Sequence, residues 1–177
     1  MNAGKSIALI QVSHNYEENG RRVALFTSAI DHRFGHGIIT SRVGPQRDAM
    51  TFDPSFDFLA AMSEMRDISC VLVDEAQFLT PQQVRQLHRG AHLLGIPVIC
   101  YGVRSDFLGE PFPGSAYLLT LADSVEELKN ICSCGRKATM NPRFLEGKRL
   151  FAGEQVAIEG GVEYRPMCAR CFYGGEK

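Results

Sequence analysis

Long hydrophobic runs are missing from this chain of 177 residues, and so is any excess of one charge. No apolar stretch approaches the length that crosses a bilayer. Nothing near the start reads as a secretory leader, because Ile7–Ile10 is too short. Nineteen basic residues face twenty acidic ones, a formal charge of −1. That leaves no polycationic surface for a nucleic-acid backbone, and the longest basic cluster is Arg21-Arg22. There are six cysteines, too unevenly placed for a disulfide scaffold; Cys70 and Cys100 lie in apolar runs and read as inert core thiols. What is present is 45% apolar residues, enough for one domain with a small appendage.

The chain is organised around Ser69–Leu79. Cys70–Val73 is a short apolar run that reads as a buried parallel strand. Asp74 and Glu75 stand where it ends, the edge at which open α/β sheets collect ligands. A solvated strand-to-helix junction would carry the same residues, so the N-terminus decides. Gly4-Lys5-Ser6 before a helical stretch is the second half of a phosphate-binding loop. Gly4 permits close backbone approach, Lys5 reaches outer phosphates, and the Ser6 hydroxyl can ligate Mg²⁺. An Asp at the end of a neighbouring strand would hold that Mg²⁺ from the other side, the role open to Asp74. The match is partial, because only Met1, Asn2 and Ala3 precede Gly4.

Helix and strand patterns alternate from there. Ser6–Tyr16 reads as a helix, with His14 a packing or surface residue, and Arg22–Thr27 as a second buried strand. Asp31 and Arg33 follow at the same sheet edge; Arg33 is either a phosphate clamp or a solvated loop arginine. Gly35–Asp53 reads as a loop with at most a short strand, and Phe56–Met65 as an amphipathic helix. Thr80-Pro81-Gln82-Gln83 carries a capping box and opens a helix that Gly95 stops. Ile96–Gly102 is another strand. The fold class is α/β, a doubly wound parallel sheet containing a phosphate loop. The loop from Arg104 to Gly114 exposes Phe107 and Phe112 as a substrate wall, or uses them as anchors. Ser115–Ala122 reads as a helix or short apolar segment, and Leu128–Ile131 as strand-like.

Cys132, Cys134, Cys168 and Cys171 make two knuckles, which reads as a closed structural zinc site, with disulfides as the alternative. The span between them, with Gln155–Ile158 and Gly160-Gly161, reads as a β-ribbon clipped at its base by the metal. The domains divide as 1–130, the nucleotide-binding part, and 131–177, the zinc-clipped ribbon.

Taken together, Met1–Ser6, Asp31-His32-Arg33, Asp74–Phe78, Phe107 through Phe112, the four cysteines, and Gly160-Gly161 with Tyr164 resemble the zinc-containing thymidine kinases of bacteria and animal cytosol. The resemblance implies transfer of the γ-phosphoryl group of ATP to the 5′-hydroxyl of thymidine, with Mg²⁺ and structural zinc. It implies Glu75 as base, with Arg33 and Lys5 steadying the phosphates. Met1, Asn2, Ala3, Gly4, Lys5, Ser6, Asp74 and Gln77 hold the nucleotide and its metal. Phe78, Phe107, Phe112, Ile158 and Tyr164 enclose the nucleoside under a lasso made by the ribbon. It further implies a cytoplasmic homotetramer inhibited by thymidine triphosphate, with no membrane or nucleic-acid partner. Two other classes share parts of the pattern, an ATP-hydrolysing switch or motor domain and a zinc-ribbon nucleic-acid module. The aromatic loop speaks against the first and the charge balance against the second.

A phosphate loop joins a buried strand to the helix behind it, yet here only the helix and the second half of the loop are legible. The expectation is a functional start roughly ten residues upstream, a weakly active or poorly soluble 177-residue form, and a vacant lane beside Cys70–Val73, unless a segment such as Gly37–Val43 fills it.

Overall fold

The computed structural model describes residues 4–30, 35–41, 44–157 and 161–174. Met1, Asn2, Ala3, Asp31, His32, Arg33 and Ile158 lie outside the described residues. The first elements in chain order are α1 (Lys5–Glu18), β1 (Arg22–Ser28), β2 (Ile38–Thr40), β3 (Gln46–Asp48), β4 (Met50–Phe52), α2 (Phe58–Glu64) and β5 (Ile68–Val73). A single 3-10 turn (Ala76–Phe78), α3 (Pro81–Leu94), β6 (Val98–Cys100) and α4 (Pro113–Leu121) follow. The ribbon contributes β7 (Arg143–Leu145), β8 (Lys148–Arg149), β9 (Val162–Tyr164) and α5 (Ala169–Gly174).

The central sheet is parallel, in the order β4-β1-β5-β6. Side chains alternate across a strand, so each strand feeds two cores. Ala24, Phe26, Val71 and Val73 pack with Phe58, Met62, Val84 and Leu87 of α2 and α3. Leu25, Cys70 and Leu72 face the other way, onto Leu9 and Ile10 of α1. Helices therefore cover both faces, which explains why these strands read as unbroken apolar runs. Phe26, Phe56 and Phe58 pack edge to face with centroids 4.9–5.5 Å apart, a geometry that contributes beyond area burial, and Phe52 lies tilted against Phe58 at 5.5 Å.

Helix α3 starts where its chemistry places it. Thr80 Oγ1 accepts from the Gln83 amide at 3.2 Å, while Gln83 Oε1 accepts from the Thr80 amide at 2.9 Å. Such a cap contributes about 1 kcal/mol. The Gln83 amide group also donates to the carbonyls of Asp53 and Phe56, which ties α3 to the loop leading into α2.

Several expectations need correction. Both edges of β5 are paired, with β1 on one side and β6 on the other, so no lane beside Cys70–Val73 is vacant. The crossover through α3 brings β6 back into that slot, which leaves β4 and β6 as the two edge strands of the described sheet. Nor does Ile38–Thr40 join the sheet; β2 closes an antiparallel hairpin with β3. The segment read as loop instead supplies β4, whose Phe52 is buried against α2. Leu128–Asn130 forms no strand, and Ile131 makes only an isolated bridge to Lys137. The ribbon is a small antiparallel sheet in the order β8-β7-β9, and Gln155–Ala157 runs outside it.

Candidate active site

The sheet itself sets the two carboxylates at different angles. The Asp74 amide donates to the Phe26 carbonyl at 2.8 Å, and the Ala76 amide donates to Tyr101 at 2.9 Å. Glu75 lies between these two pinned residues and turns the chain through the left-handed region, with φ 50° and ψ 39°. That conformation costs a non-glycine residue roughly 1–2 kcal/mol. Strain of this kind gathers where a side chain must point in a fixed direction. Here it separates neighbouring carboxylates. Asp74 stays buried at the strand end, and Glu75 is carried into a cleft.

Asp74 faces the start of α1. Its Oδ2 accepts from Ser6 Oγ at 2.9 Å, and its Oδ1 accepts from the Glu75 amide at 2.9 Å. Burial, and then the Glu75 charge, push its pKa up to about 6, although Lys5 and the Ser6 hydroxyl pull the other way. A buried carboxylate beside a hydroxyl is a hard-oxygen donor set, and it fits Mg²⁺. Gly4 caps α1 in the left-handed region at φ 76° and contributes no side chain, so the first turn of the helix presents amides.

Glu75 shares a small cleft, open to solvent, with Lys5, Gln77, Phe78, Phe107, Phe112 and Tyr164. Residues far apart in sequence thus meet as the motifs required. Gln77, expected on the nucleotide side, is buried and donates to Glu75 Oε2 at 2.5 Å, while its own Oε1 accepts from the Val103 amide. It orients the carboxylate. Phe78 and Phe112 stack edge to face at 5.9 Å. Phe107 and Phe112 are not exposed rings, as the loop composition suggested; both are buried and both still line the cleft. Wall and anchor are one role here.

Three residues of this site escaped the sequence reading. Arg143, 3% exposed, donates from Nε to Tyr164 Oη at 3.0 Å and from its two terminal nitrogens to the carbonyls of Glu154 and Gln155. Its guanidinium lies 3.9 Å from the Phe107 ring centroid. Asp106 accepts from the amides of Leu108 and Glu110 and, on its other oxygen, from Gln155 Nε2 at 3.2 Å. Arg143, Asp106 and Gln155 therefore hold segment 154–157 over the cleft, with Val156 and Ala157 in its wall. The sequence Asp-Phe-Leu-Gly carries the signature of an aspartate-closed turn and was legible as such. Nothing local marks a lone arginine as buried.

The four cysteines come together as expected. Their sulfurs lie within 4.8 Å of one another, with Cys134 and Cys168 at 3.6 Å. Tetrahedral zinc with Zn–S bonds of about 2.3 Å requires sulfurs about 3.8 Å apart. The set fits zinc, and all six cysteines are free of disulfides. Amides of Cys134 and Cys168 aimed at Cys132 pull its thiol well below the ordinary value, which favours the thiolate that a metal needs. The narrow first knuckle closes because Gly135 turns at φ 81° and donates to the Cys132 carbonyl. Cys168 and Cys171 are brought together by the first turn of α5.

The comparisons with known proteins agree with this geometry. The family model for thymidine kinase matches residues 1–172. A thymidine kinase of Chromobacterium violaceum is 59% identical over 174 residues, 98% of this chain and 94% of that protein. One from Albidiferax ferrireducens is 56% identical, covering 98% and 88%, and one from Yersinia pseudotuberculosis is 49% identical, covering 97% and 90%. With a match across nearly its whole length, and with Ser6 bonded to the strand-end Asp74, the chain belongs to the thymidine kinase family.

Proposed function

We propose that the chain transfers the γ-phosphoryl group of ATP to the 5′-hydroxyl of thymidine, with Glu75 as general base. The observation that carries the assignment of residues is the division of labour between neighbours. Asp74 turns inward to Ser6, and Glu75 turns outward into an aromatic cleft. Asp74 and Ser6 would hold Mg²⁺, which when bound offsets phosphate charge as it shifts during transfer. Lys5, in the cleft beside Glu75, supplies a fixed positive charge. Gln77 holds Glu75 so that its free oxygen accepts the hydroxyl proton. Phe78, Phe107, Phe112 and Tyr164 exclude water around a flat base. The segment 154–157 closes over it and offers backbone donors and acceptors to the base edge at low entropic cost. Arg33, Ile158 and Met1–Ala3 belong to the same proposal on motif grounds alone.

In this reading residues 1–130 are the nucleotide-binding part and 131–177 the zinc-stiffened ribbon. The resemblance extends the proposal to a cytoplasmic homotetramer inhibited by thymidine triphosphate. Among the described residues, no helix is long and apolar enough to cross a membrane.

The test is ADP release on addition of thymidine. Glu75→Gln should keep fold and thymidine binding and lower kcat by about 10²-fold or more. A variant within threefold of the parent kcat would remove Glu75 from the role of base.

A further inference from the structure

We infer that His88, His92 and Asp123 form a second metal site, apart from the four cysteines, which takes a divalent transition cation of the imidazole-preferring kind. His88 and His92 are four residues apart on α3 and so share one face. Their rings meet edge to face with centroids 4.6 Å apart. Asp123 comes from a different element, directly after Ala122, the residue that caps α4. Its Oδ2 lies 3.3 Å from His92 Nε2, and one ligand atom of each of the three residues lies within 4.8 Å of the others.

An ordinary ion pair explains less of this. His92 and Asp123 have side chains 53% and 74% exposed, so their pairing contributes at most about 1 kcal/mol. It also leaves the adjacent His88 ring without a purpose. Two imidazoles so close repel each other when both are protonated, and one carboxylate matches only one of them. A cation bound to both neutral rings and to the carboxylate satisfies all three. Two nitrogens and one oxygen suit Ni²⁺, Cu²⁺ or Zn²⁺. Ligand atoms around a metal at about 2.1 Å sit about 3.4 Å apart. The His92–Asp123 distance already has that value, and rotation of exposed side chains brings in His88.

The position gives the site a consequence. Thr80, beside the catalytic turn, is about 18 Å along the helix axis from His92. A cation here therefore touches no reacting group. It fastens the far end of α3 to the start of segment 122–130, which leads to Cys132 and the ribbon. Nothing in the proposed catalytic roles uses these three residues.

The test uses the zinc-loaded, tag-free protein titrated with Ni²⁺ by calorimetry, with zinc content measured before and after. The expected result is one Ni²⁺ bound per chain with zinc retained, and a higher melting temperature. His92→Ala should weaken Ni²⁺ binding at least about tenfold, as should His88→Ala, with a smaller loss for Asp123→Asn. These side chains are partly or largely exposed, and thymidine phosphorylation without added Ni²⁺ should stay at the parent level in all three. Absence of Ni²⁺ binding to the zinc-loaded parent would overturn the proposal, as would equal binding by parent and His92→Ala. Displacement of zinc as the sole event would assign Ni²⁺ to the cysteines and overturn it equally.

Discussion

Asp74 shows how a single residue can be held at a loss to the fold. Its pKa in the folded protein is about 6, against 3.8 ordinarily, because burial penalises the charge. The folded state therefore binds a proton more readily than the unfolded state between those values. Stability from this group is full below about pH 4 and is lost as pH rises through about 6. Two pH units correspond to about 3 kcal/mol. In Mg²⁺-free buffer at pH 7, Asp74→Asn should raise the melting temperature and remove the slope of stability between pH 4 and 6, while phosphorylation is lost. Thermal melts across that pH range check it; a lower melting temperature for the variant at pH 7 would show that the Ser6 bond outweighs desolvation. Arg143 is the opposite case, a buried charge that organises its surroundings. Lys keeps the charge, but its donors radiate from one nitrogen and cannot span the three acceptors that the Arg143 nitrogens reach separately. Arg143→Lys should raise the KM for thymidine by about tenfold, while the KM for ATP changes less than twofold. Steady-state kinetics with each substrate varied would expose an equal effect on both, which would place Arg143 in general folding instead.

Among the elements, α4 is set by one glycine. A Cβ on Gly114 would lie 2.4 Å from the Leu79 carbonyl oxygen and 2.8 Å from that of Gln77. Backbone of the turn after β5 cannot move aside as a flexible side chain can, so α4 itself must shift. Phe112 precedes α4 and would move with it, away from Phe78. Gly114→Ala should destabilise the protein by about 1–3 kcal/mol in urea and lower kcat/KM for thymidine. Gly174→Ala, where a Cβ meets nothing within 4 Å, serves as the control. Equal stability of the two variants would mean that α4 is not seated against the turn.

For the whole molecule, the small antiparallel sheet of the ribbon is too short to hold itself, with strands of two and three residues. Two fastenings compensate. The cysteine cluster closes its base, and Arg143 with Asp106 clasps its far segment to the loop that follows β6. Met140 and Phe172 add a packed contact at Gly109. Removal of zinc, or Cys168→Ser, should therefore loosen the cover over the cleft before it disturbs the parallel sheet. The KM for thymidine should rise more than the KM for ATP. Elemental analysis should find one zinc per chain in the parent; purified parent with no zinc and four freely titrating thiols would sink this account.

Local physics made much of this protein legible in sequence. Buried strands covered on both faces must be continuously apolar, so Arg22–Thr27 and Cys70–Val73 stood out, within strands that run Arg22–Ser28 and Ile68–Val73. A capping box declared α3, and two cysteine knuckles pointed to a cluster that fits zinc. Carboxylates after a buried strand, paired with Gly-Lys-Ser, pointed to phosphoryl transfer. What only tertiary structure decided depends on distant partners. Strand β4 was hidden because three residues become a strand only beside β1. The slot next to β5 went to β6 by the path of a crossover, which no residue type encodes. Asp106 and Gln155 are ordinary polar residues until folding sets them against each other. Arg143 became a buried clamp because carbonyls eleven and twelve residues away and the Phe107 ring, thirty-six residues earlier, surround it. Charge burial of that kind is decided by the sum of contacts around a group, and a local pattern carries no record of that sum.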